Sequence, residues 1–237
     1  MNSKPSAGHV GIVACSVEGA ALCYRTIMIE ALPLMGLHDH PRMTLSSIPM
    51  ARHMEFIYRD DWKGVADLLL ESAREVAAAG AAFAVCPDNT VHQAFPDLLP
   101  RSPIPFLHIA EVVADEADRK GLRRLGVLGT KYLTEGPVYR DILARRGLEM
   151  RIPPAAAREQ INRFIFEELV NGVFSESTRE AFHREIDALR SQGCDGAALA
   201  CTEIPLIVVP EKASLPTLDS TRLLARAAVH RAVSGSP

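Results

Sequence analysis

The sequence predicts an α/β protein built from two similar lobes, each a parallel sheet flanked by helices. Three observations lead to this prediction: short apolar runs alternate with helical patterns, the alternation restarts near the middle of the chain, and the two halves align. With 237 residues, 48% of them hydrophobic, the chain is long enough to bury a sizeable core.

The first half contains four predicted strands and two predicted helices. The strands are the apolar runs HVGIVACS, PRMTLSSIPM, AAFAVCP and IPFLHI. The segment EGAALCYRTIMIEAL has the apolar spacing of a helix, which Pro33 is expected to end, and WKGVADLLLESAREVAAAG is a helix closed by Gly80.

The second half repeats this alternation. Its predicted strands are RRLGVLGT, LEMRIP, DGAALAC and LPTLDS, and its predicted helices are PVYRDILARRG, INRFIFEELVNG and STREAFHREIDALRSQG. We assign residues 1–113 together with 217–237 to the first lobe and residues 114–216 to the second.

The two halves also match in detail. VGIVACS aligns with LGVLGTK, and AAFAVCPDNT aligns with GCDGAALACTE when Asp88 is set against Cys201. The segment PFLHI begins seventeen residues after Asp88, and PTLDS begins fifteen residues after Cys201. Three matches in the same order indicate an internal duplication.

Composition excludes several classes of function. The net charge is -3 and the basic residues are scattered, so we expect neither nucleic acid nor a membrane as partner. No segment approaches the ~20 apolar residues of a membrane span and MNSKPSAG has no signal-type core, which predicts a cytoplasmic protein. The five cysteines are expected to be reduced. His38 and His40 have no second cluster beside them, so no metal is predicted.

Candidate site residues follow the predicted strands, because ligands bind at the carboxyl ends of parallel strands. Asp88 and Cys201 are the candidates for proton transfer, with one lobe contributing each. Donors that could hold a small acid surround them, and Arg52 could pair with an anionic substrate. The candidate substrate-binding residues are Ser16, Arg52, Asn89, Thr90, Thr130, Thr134 and Thr202.

Two neighbouring side chains have competing structural interpretations. Asp88 could cap the helix that begins near Val91, a role compatible with catalysis. Glu203 is interpreted as a helix cap of the N3 type rather than a catalytic acid. His92 is expected to be a structural histidine whose hydrogen bonds are satisfied.

These segments resemble the aspartate/glutamate racemase family. The resemblance covers nearly the whole chain and is carried by NTVH followed by IPFLHI, by GVLGTKYLTEG and FIFEELVNG, and by ACTEIPLIV before LPTLDST. It implies two Rossmann-like lobes related by a pseudo-two-fold axis, an active site between them, and a homodimer. It also implies cofactor-independent removal of the α-proton of an amino acid by one thiolate and return of a proton by a facing thiol.

The sequence departs from the family at the first of these cysteines. Anchoring on Asn89 and Thr90 places Asp88 where most members carry cysteine, and leaves Cys86 inside the strand as a structural residue. The resulting hypothesis is an aspartate/glutamate-type racemase in which Cys201 is the acid/base and Asp88 is in the facing position. Two alternatives stay open: a one-sided isomerase or decarboxylase of the same superfamily, and a non-catalytic protein that binds a small acid.

Overall fold

The computed structural model describes residues 7–235, which form two compact units. The first unit extends to Ile109 and resumes at Leu224, and the second extends from Ala110 to Leu223. The ends of the expected first lobe, at residues 1 and 237, and most of the segment before the first strand lie outside the described residues.

The first unit is a four-stranded parallel sheet with helices around it, and its strands lie in the order β2 (Met43–Ser47), β1 (Val10–Ala14), β3 (Phe83–Val85) and β4 (Phe106–Leu107). The two central strands, β1 and β3, are continuous buried apolar runs, as expected for strands covered on both faces. The elements are β1 (Val10–Ala14), α1 (Val17–Met35), β2 (Met43–Ser47), α2 (Met50–Ile57), α3 (Trp62–Ala78), β3 (Phe83–Val85), a 3₁₀ turn (Thr90–Ala94), α4 (Phe95–Leu98), a second 3₁₀ turn (Leu99–Arg101) and β4 (Phe106–Leu107).

The second unit has the same topology, with all pairs parallel and its strands in the order β6 (Glu149–Arg151), β5 (Arg124–Leu128), β7 (Gly196–Leu199) and β8 (Thr217–Asp219). Its elements, with the helices that connect it to the first unit, are α5 (Ile109–Arg119), β5 (Arg124–Leu128), α6 (Lys131–Thr134), α7 (Pro137–Arg145), β6 (Glu149–Arg151), α8 (Ala155–Arg163) continued by a π-helical turn (Phe164–Glu168) and a 3₁₀ turn (Leu169–Asn171), α9 (Glu176–Ser191), β7 (Gly196–Leu199), 3₁₀ turns (Ile204–Leu206, Pro210–Lys212), β8 (Thr217–Asp219) and α10 (Ser220–Ser234). Two parallel sheets with flanking helices confirm the predicted fold class. No helix within residues 7–235 is long and apolar enough to cross a membrane.

Each unit packs one helix closely against its central strand at a glycine. A Cβ atom at Gly11 in β1 would lie 2.7 Å from the side chain of Val76 in α3. A Cβ atom at Gly126 in β5 would lie 2.6 Å from the side chain of Leu189 in α9. The same helix-on-strand contact therefore occurs in both units, as the internal duplication predicts.

Two details differ from the sequence prediction. Pro33 lies inside α1, which continues to Met35 and ends at Gly36, where φ is 112°. Proline removes one backbone donor, and a single lost bond near the end of a helix does not stop the last residues from staying helical. Residues 110–113 and 217–223 belong to the second unit rather than the first. For residues 217–223 the reason is that β8 pairs with β7.

The last helix returns the chain to the first unit. The amide of Gly8, just before β1, donates to the carbonyl of Ala232 at 2.8 Å, and Arg226 makes a two-pronged ion pair with Glu30 of α1. The first unit thus takes its last helix from the end of the chain.

Candidate active site

The loop after β3 holds Asp88 in a half-buried position. Its Oδ1 atom accepts a hydrogen bond from the amide of Val91 at 3.2 Å, which caps the 3₁₀ turn that follows. The capping interpretation of Asp88 is therefore confirmed. Capping is compatible with proton transfer by the same carboxyl group. Asn89 is buried and Thr90 partly buried beside it.

Cys86 lies two residues before Asp88 but has no access to solvent. Burial raises the pKa of its thiol, and the nearby carboxylate of Asp88 raises it further. A thiol held neutral inside the core is a poor nucleophile and a poor base. Its environment agrees with the structural role predicted for Cys86.

His92 fixes the backbone of the Asp88 loop. Its Nδ1 atom lies 2.7 Å from the carbonyl oxygen of Asp88, and its Nε2 atom accepts from the amide of Ile109 at 3.2 Å. The ring also stacks on Phe95 with centroids 3.9 Å apart. Burial lowers the pKa of His92 well below its ordinary value, and the neighbouring His108 adds to this effect. The neutral ring therefore donates from Nδ1 and accepts at Nε2, which confirms the predicted structural role.

In the second unit, the loop after β7 carries Cys201, Thr202 and Glu203, all buried. The Oε2 atom of Glu203 lies 3.1 Å from Sγ of Cys201 and 2.9 Å from the hydroxyl of Thr202, and accepts from both. The carboxylate makes no cap bond to the 3₁₀ turn that follows, so the predicted capping role of Glu203 is wrong. Its other oxygen, Oε1, is buried and has no hydrogen-bond partner within the part of the chain that the structure describes.

Backbone contacts hold the Cys201 loop in place. The amide of Ala200 donates to the carbonyl of Leu128 at the end of β5 (2.7 Å), and the hydroxyl of Ser220 donates to the carbonyl of Leu199 (2.9 Å). Ser220 in turn hydrogen-bonds the buried side chain of Tyr139, whose pKa is raised by burial. Ala200, the residue before Cys201, also packs closely against Gly129. A Cβ atom added to Gly129 would lie 2.8 Å from the carbonyl oxygen of Ala200.

Three predicted binding hydroxyls make hydrogen bonds within their own loops. Ser16 caps α1 by accepting from the amide of Gly19, and Thr130 caps α6 by accepting from the amide of Leu133, both at 3.2 Å. The hydroxyl of Thr134 donates to the carbonyl of Thr130 at 3.0 Å. These bonds give each of the three side chains a structural role in its loop.

Arg52 lies on α2, shortly after the end of β2, and is exposed. Its guanidinium makes no salt bridge with any residue between 7 and 235. Beside it, His53 is buried with both ring nitrogens lacking partners among the described residues. Burial, and to a smaller extent the charge of Arg52, lowers the pKa of His53 to about 4.

Asp88 and Cys201 occupy equivalent positions in the two units. The equivalence follows from one residue pair in each sheet. Ile12, which follows Gly11 in β1, pairs with Val85 of β3, and Val127, which follows Gly126 in β5, pairs with Ala198 of β7. Asp88 lies three residues beyond the first pair, and Cys201 lies three residues beyond the second. The strand register therefore reproduces the alignment found in the sequence. Within residues 7–235, no three His, Cys, Asp or Glu side chains are close enough to hold a metal ion.

Comparison with known proteins identifies the family. The model of the Asp/Glu/Hydantoin racemase family matches residues 12–228, which is most of the chain and both units. The chain belongs to this family. As a member of the Asp/Glu/Hydantoin racemases it is an isomerase of the racemase and epimerase class, as the resemblance implied.

Individual relatives agree with this assignment. The broad specificity amino-acid racemase RacX of Bacillus subtilis (strain 168) is 24% identical over 194 residues, which are 81% of this chain and 82% of RacX. Among solved structures, a candidate Asp/Glu racemase from Yersinia pestis is 33% identical with a TM-score of 0.86, covering 95% of this chain and 99% of that one. An aspartate racemase homologue from Pyrococcus horikoshii OT3 is 27% identical with a TM-score of 0.81, covering 94% and 98%.

Proposed function

We propose that this protein is a cofactor-independent amino-acid racemase of the aspartate/glutamate type, in which Cys201 and Asp88 exchange protons with the α-carbon of one substrate. The observation that carries the proposal is the equivalence of these two residues in a duplicated fold. In a racemisation, one group removes a proton from one face of the α-carbon and a second group returns a proton to the opposite face. A duplicated fold that supplies one proton-transfer group at the same position in each copy suits such a reaction.

The chemistry is a pair of proton transfers. In one direction the Cys201 thiolate takes the α-hydrogen, the electron pair of the broken C–H bond remains on the substrate as a carbanion, and the Asp88 carboxylic acid donates a proton to the other face. In the other direction the carboxylate of Asp88 is the base and the thiol of Cys201 is the acid. Because the α-hydrogen is a very weak acid, precise placement and stabilisation of the developing charge supply most of the acceleration.

Glu203 supports Cys201 in this proposal. While Cys201 is a thiol, its S–H donates to the Glu203 carboxylate, which orients Sγ for the direction in which Cys201 is the acid, and the hydroxyl of Thr202 donates to the same oxygen. The partnerless Oε1 is a buried acceptor that a substrate ammonium group would satisfy.

The substrate is a small amino acid, with aspartate or glutamate as the first choice. Arg52 is the candidate partner for a side-chain carboxylate, because its guanidinium is exposed and has no salt bridge within residues 7–235. Asn89, Thr90 and Thr202 are the remaining candidates for contacts with the α-carboxylate and the amino group. The proposal also includes a homodimer, which is carried over from the family resemblance, and a location in the cytoplasm, where Cys201 would stay reduced.

A second candidate function is a one-sided reaction of the same superfamily, isomerisation or decarboxylation, with Cys201 as the single proton donor. The observation in its favour is that Asp88 already accepts a hydrogen bond from Val91, as a structural cap does. A carboxylate is also a weaker base than a thiolate, with ordinary pKa values of about 4 and about 8.5. A third candidate, a binding protein without turnover, is disfavoured by the buried Cys201–Glu203 contact.

Solvent exchange tests the proposal. Each enantiomer of aspartate, glutamate and a panel of neutral amino acids is incubated with the protein in deuterated water, and the α-deuterium of the product enantiomer is measured by mass spectrometry after chiral separation. Racemisation predicts deuterium in the product from both directions. Cys201→Ala should abolish it, whereas the matched control Cys86→Ala should leave it little changed. Carbon dioxide release or double-bond isomerisation without α-deuterium would favour the one-sided reaction, and binding without any turnover would favour the third candidate.

A further inference from the structure

The loop after β5 carries two predicted binding residues on a very short helix. Thr130 caps α6, and the hydroxyl of Thr134 donates back to the carbonyl of Thr130 at 3.0 Å. Helix α6 has four residues, whereas its counterpart after β1 in the first unit, α1, has 19. Isolated helices as short as α6 are not stable in water. The position of residues 130–135, which we call the Thr130 loop, therefore depends on contacts from outside it.

Helix α8 provides a contact that reaches the backbone of this loop. The Oδ1 atom of Asn162 accepts a hydrogen bond from the amide of Lys131 at 3.1 Å. Lys131 is the first residue of α6, and the first amides of a helix have no acceptor within that helix. Asn162 thus satisfies a donor that α6 itself cannot satisfy, and it restrains the main chain of the loop rather than a flexible side chain.

Two side-chain contacts accompany this hydrogen bond. Arg158 donates from Nε and Nη2 to Oε1 of Glu135, at 3.1 and 3.0 Å. The ring of Phe166 meets the ring of Tyr132 edge to face, with centroids 6.4 Å apart. The ion pair contributes little by itself, because the side chain of Glu135 is 54% exposed. Asn162 lies four residues after Arg158 and four before Phe166, so one side of the helical segment follows the loop, with Asn162 at the centre.

The far end of this helical segment is fixed to α9. The π-helical turn that continues α8 ends at Glu168, and π-helical turns are rare and occur often at functional sites. Oε2 of Glu168 accepts from the hydroxyls of Ser175 and Thr178 at the start of α9, at 3.1 and 2.6 Å. Helix α9 in turn packs on β5, where Leu189 closely approaches Gly126. The Thr130 loop is therefore held by β5, which precedes it, and by a helix that is connected through α9 to the same strand.

The Thr130 loop lies beside the Cys201 loop within the second unit. Gly129 directly precedes Thr130, and Ala200 directly precedes Cys201. A Cβ atom added to Gly129 would lie 2.8 Å from the carbonyl oxygen of Ala200, so the two loops are in close contact. A displacement of the Thr130 loop would therefore move its candidate binding groups relative to Cys201.

We propose that Asn162 is a positioning residue for racemisation, which acts on the substrate through the Thr130 loop. This rests on the proposed function and on the prediction from the sequence that Thr130 and Thr134 bind the substrate. The hydrogen bond that Asn162 accepts from Lys131 holds these two residues beside Cys201. Binding groups that are displaced by a fraction of an ångström hold the substrate less well, so the loss of this bond weakens substrate binding.

Three variants test this role through the initial rates of racemisation. Asn162→Leu has a similar size but lacks the acceptor, so the KM for the amino acid that the wild type racemises should rise at least about fivefold, while kcat changes less than about threefold. Asn162→Asp keeps an acceptor oxygen at the same place and should return KM to within about twofold of the wild type. Gln160→Leu, the same kind of change at an exposed position of α8, is the matched control and should leave KM unchanged.

Amide hydrogen exchange, followed by mass spectrometry, measures the same contact without substrate. In Asn162→Leu the amides of residues 131–135 should exchange at least about tenfold faster than in the wild type, and the amides of β5 should keep their wild-type rates. Urea unfolding verifies that each variant is folded. If Asn162→Leu does not fold, Asn162→Ala takes its place. A variant that is merely less stable would lose active enzyme, and so apparent kcat, without a change in KM.

An unchanged KM in Asn162→Leu, a raised KM that Asn162→Asp does not restore, or wild-type exchange of the loop amides in Asn162→Leu would overturn the proposal. The proposed function can fail separately. If the wild type does not racemise, the proposed function fails, and the dissociation constant for L-aspartate, measured by calorimetry, takes the place of KM. Absence of binding as well as of turnover would overturn both proposals.

Discussion

The Sγ atom of Cys201 lies 3.1 Å from the carboxylate oxygen Oε2 of Glu203, and both side chains are buried. A thiol held by a carboxylate acceptor has a defined orientation, which proton transfer to a single carbon requires.

Replacing this carboxylate tests its role as a positioning group. Glu203→Gln keeps the size of the side chain but replaces an acceptor-only oxygen pair by an amide, so kcat should fall about 100-fold with a much smaller change in KM. The measurement is the initial rate of racemisation in both directions, together with its pH profile. Glu211→Gln, an exposed acid in the same segment, is the matched control. A purely structural role would instead change the free energy of unfolding and leave the pH profile of the remaining activity unaltered.

Asp88 has a structural role that can be separated from a catalytic one. Asp88→Asn retains an oxygen that can accept from the amide of Val91, whereas it cannot transfer a proton. Its unfolding free energy should therefore match the wild type, and racemisation should fall at least about 100-fold. Asp88→Ala should lose the cap as well, at about 1 kcal/mol of stability. If Asp88→Asn kept full activity, the role of Asp88 would be capping alone, and the one-sided reaction would be favoured.

Gly129 is expected to position the Cys201 loop. An added methyl group in Gly129→Ala would lie 2.8 Å from the carbonyl oxygen of Ala200, so the loop must shift, and kcat should fall about tenfold or more. Gly126→Ala meets the side chain of Leu189 instead, at 2.6 Å, and is the control for crowding alone. Both variants should lose roughly 1–3 kcal/mol of stability, but only Gly129→Ala should lose activity in the fraction that is folded. Equal losses of activity would contradict a positioning role.

His53 should make stability depend on pH. Burial, aided by Arg52, lowers the pKa of His53 from 6.5 to about 4, so between these values the unfolded chain binds more protons than the folded protein. The stabilisation is complete above pH 6.5 and is lost as the pH falls toward 4, and the loss amounts to about 2 kcal/mol at pH 5.

Urea unfolding at pH 7 and pH 5 measures this effect. The stability difference between the two pH values should shrink by about 2 kcal/mol in His53→Leu, which fills the site without a titrating group. His230→Gln, at an exposed position, should behave as the wild type does. An unchanged pH dependence in His53→Leu would show that other groups cause the acid loss.

The sequence predicts the sheets well because their signals are local. Buried parallel strands are apolar runs, and the match between VGIVACS and LGVLGTK places them in the same register that the strand pairs show. Helices α2, α5 and α10 were not predicted from the sequence, and α1 extends beyond Pro33 because the packing of its apolar residues outweighs one missing hydrogen bond.

The sequence predicts which loops carry the candidate site residues, but it does not predict which side chains contact one another. The duplication assigns Asp88 and Cys201 to equivalent loops. Side-chain direction in an irregular loop has no periodicity, and for this reason the contact between Glu203 and Cys201 could not be derived from residues that are two apart. The only signal in the sequence was an acid two residues after the candidate cysteine. Such an acid is equally compatible with a helix cap.

The return of α10 to the first unit has a consequence for how the chain folds during synthesis. The second unit is continuous from Ala110 to Leu223 and can close its core as soon as that stretch has left the ribosome. The first unit is begun earlier but stays incomplete, since the residues that bond to Gly8 and Glu30 are translated after the whole second unit. The newly made chain therefore has a complete first sheet but lacks one of the helices of the first unit until α10 has been made, so the unit begun first is completed after the second.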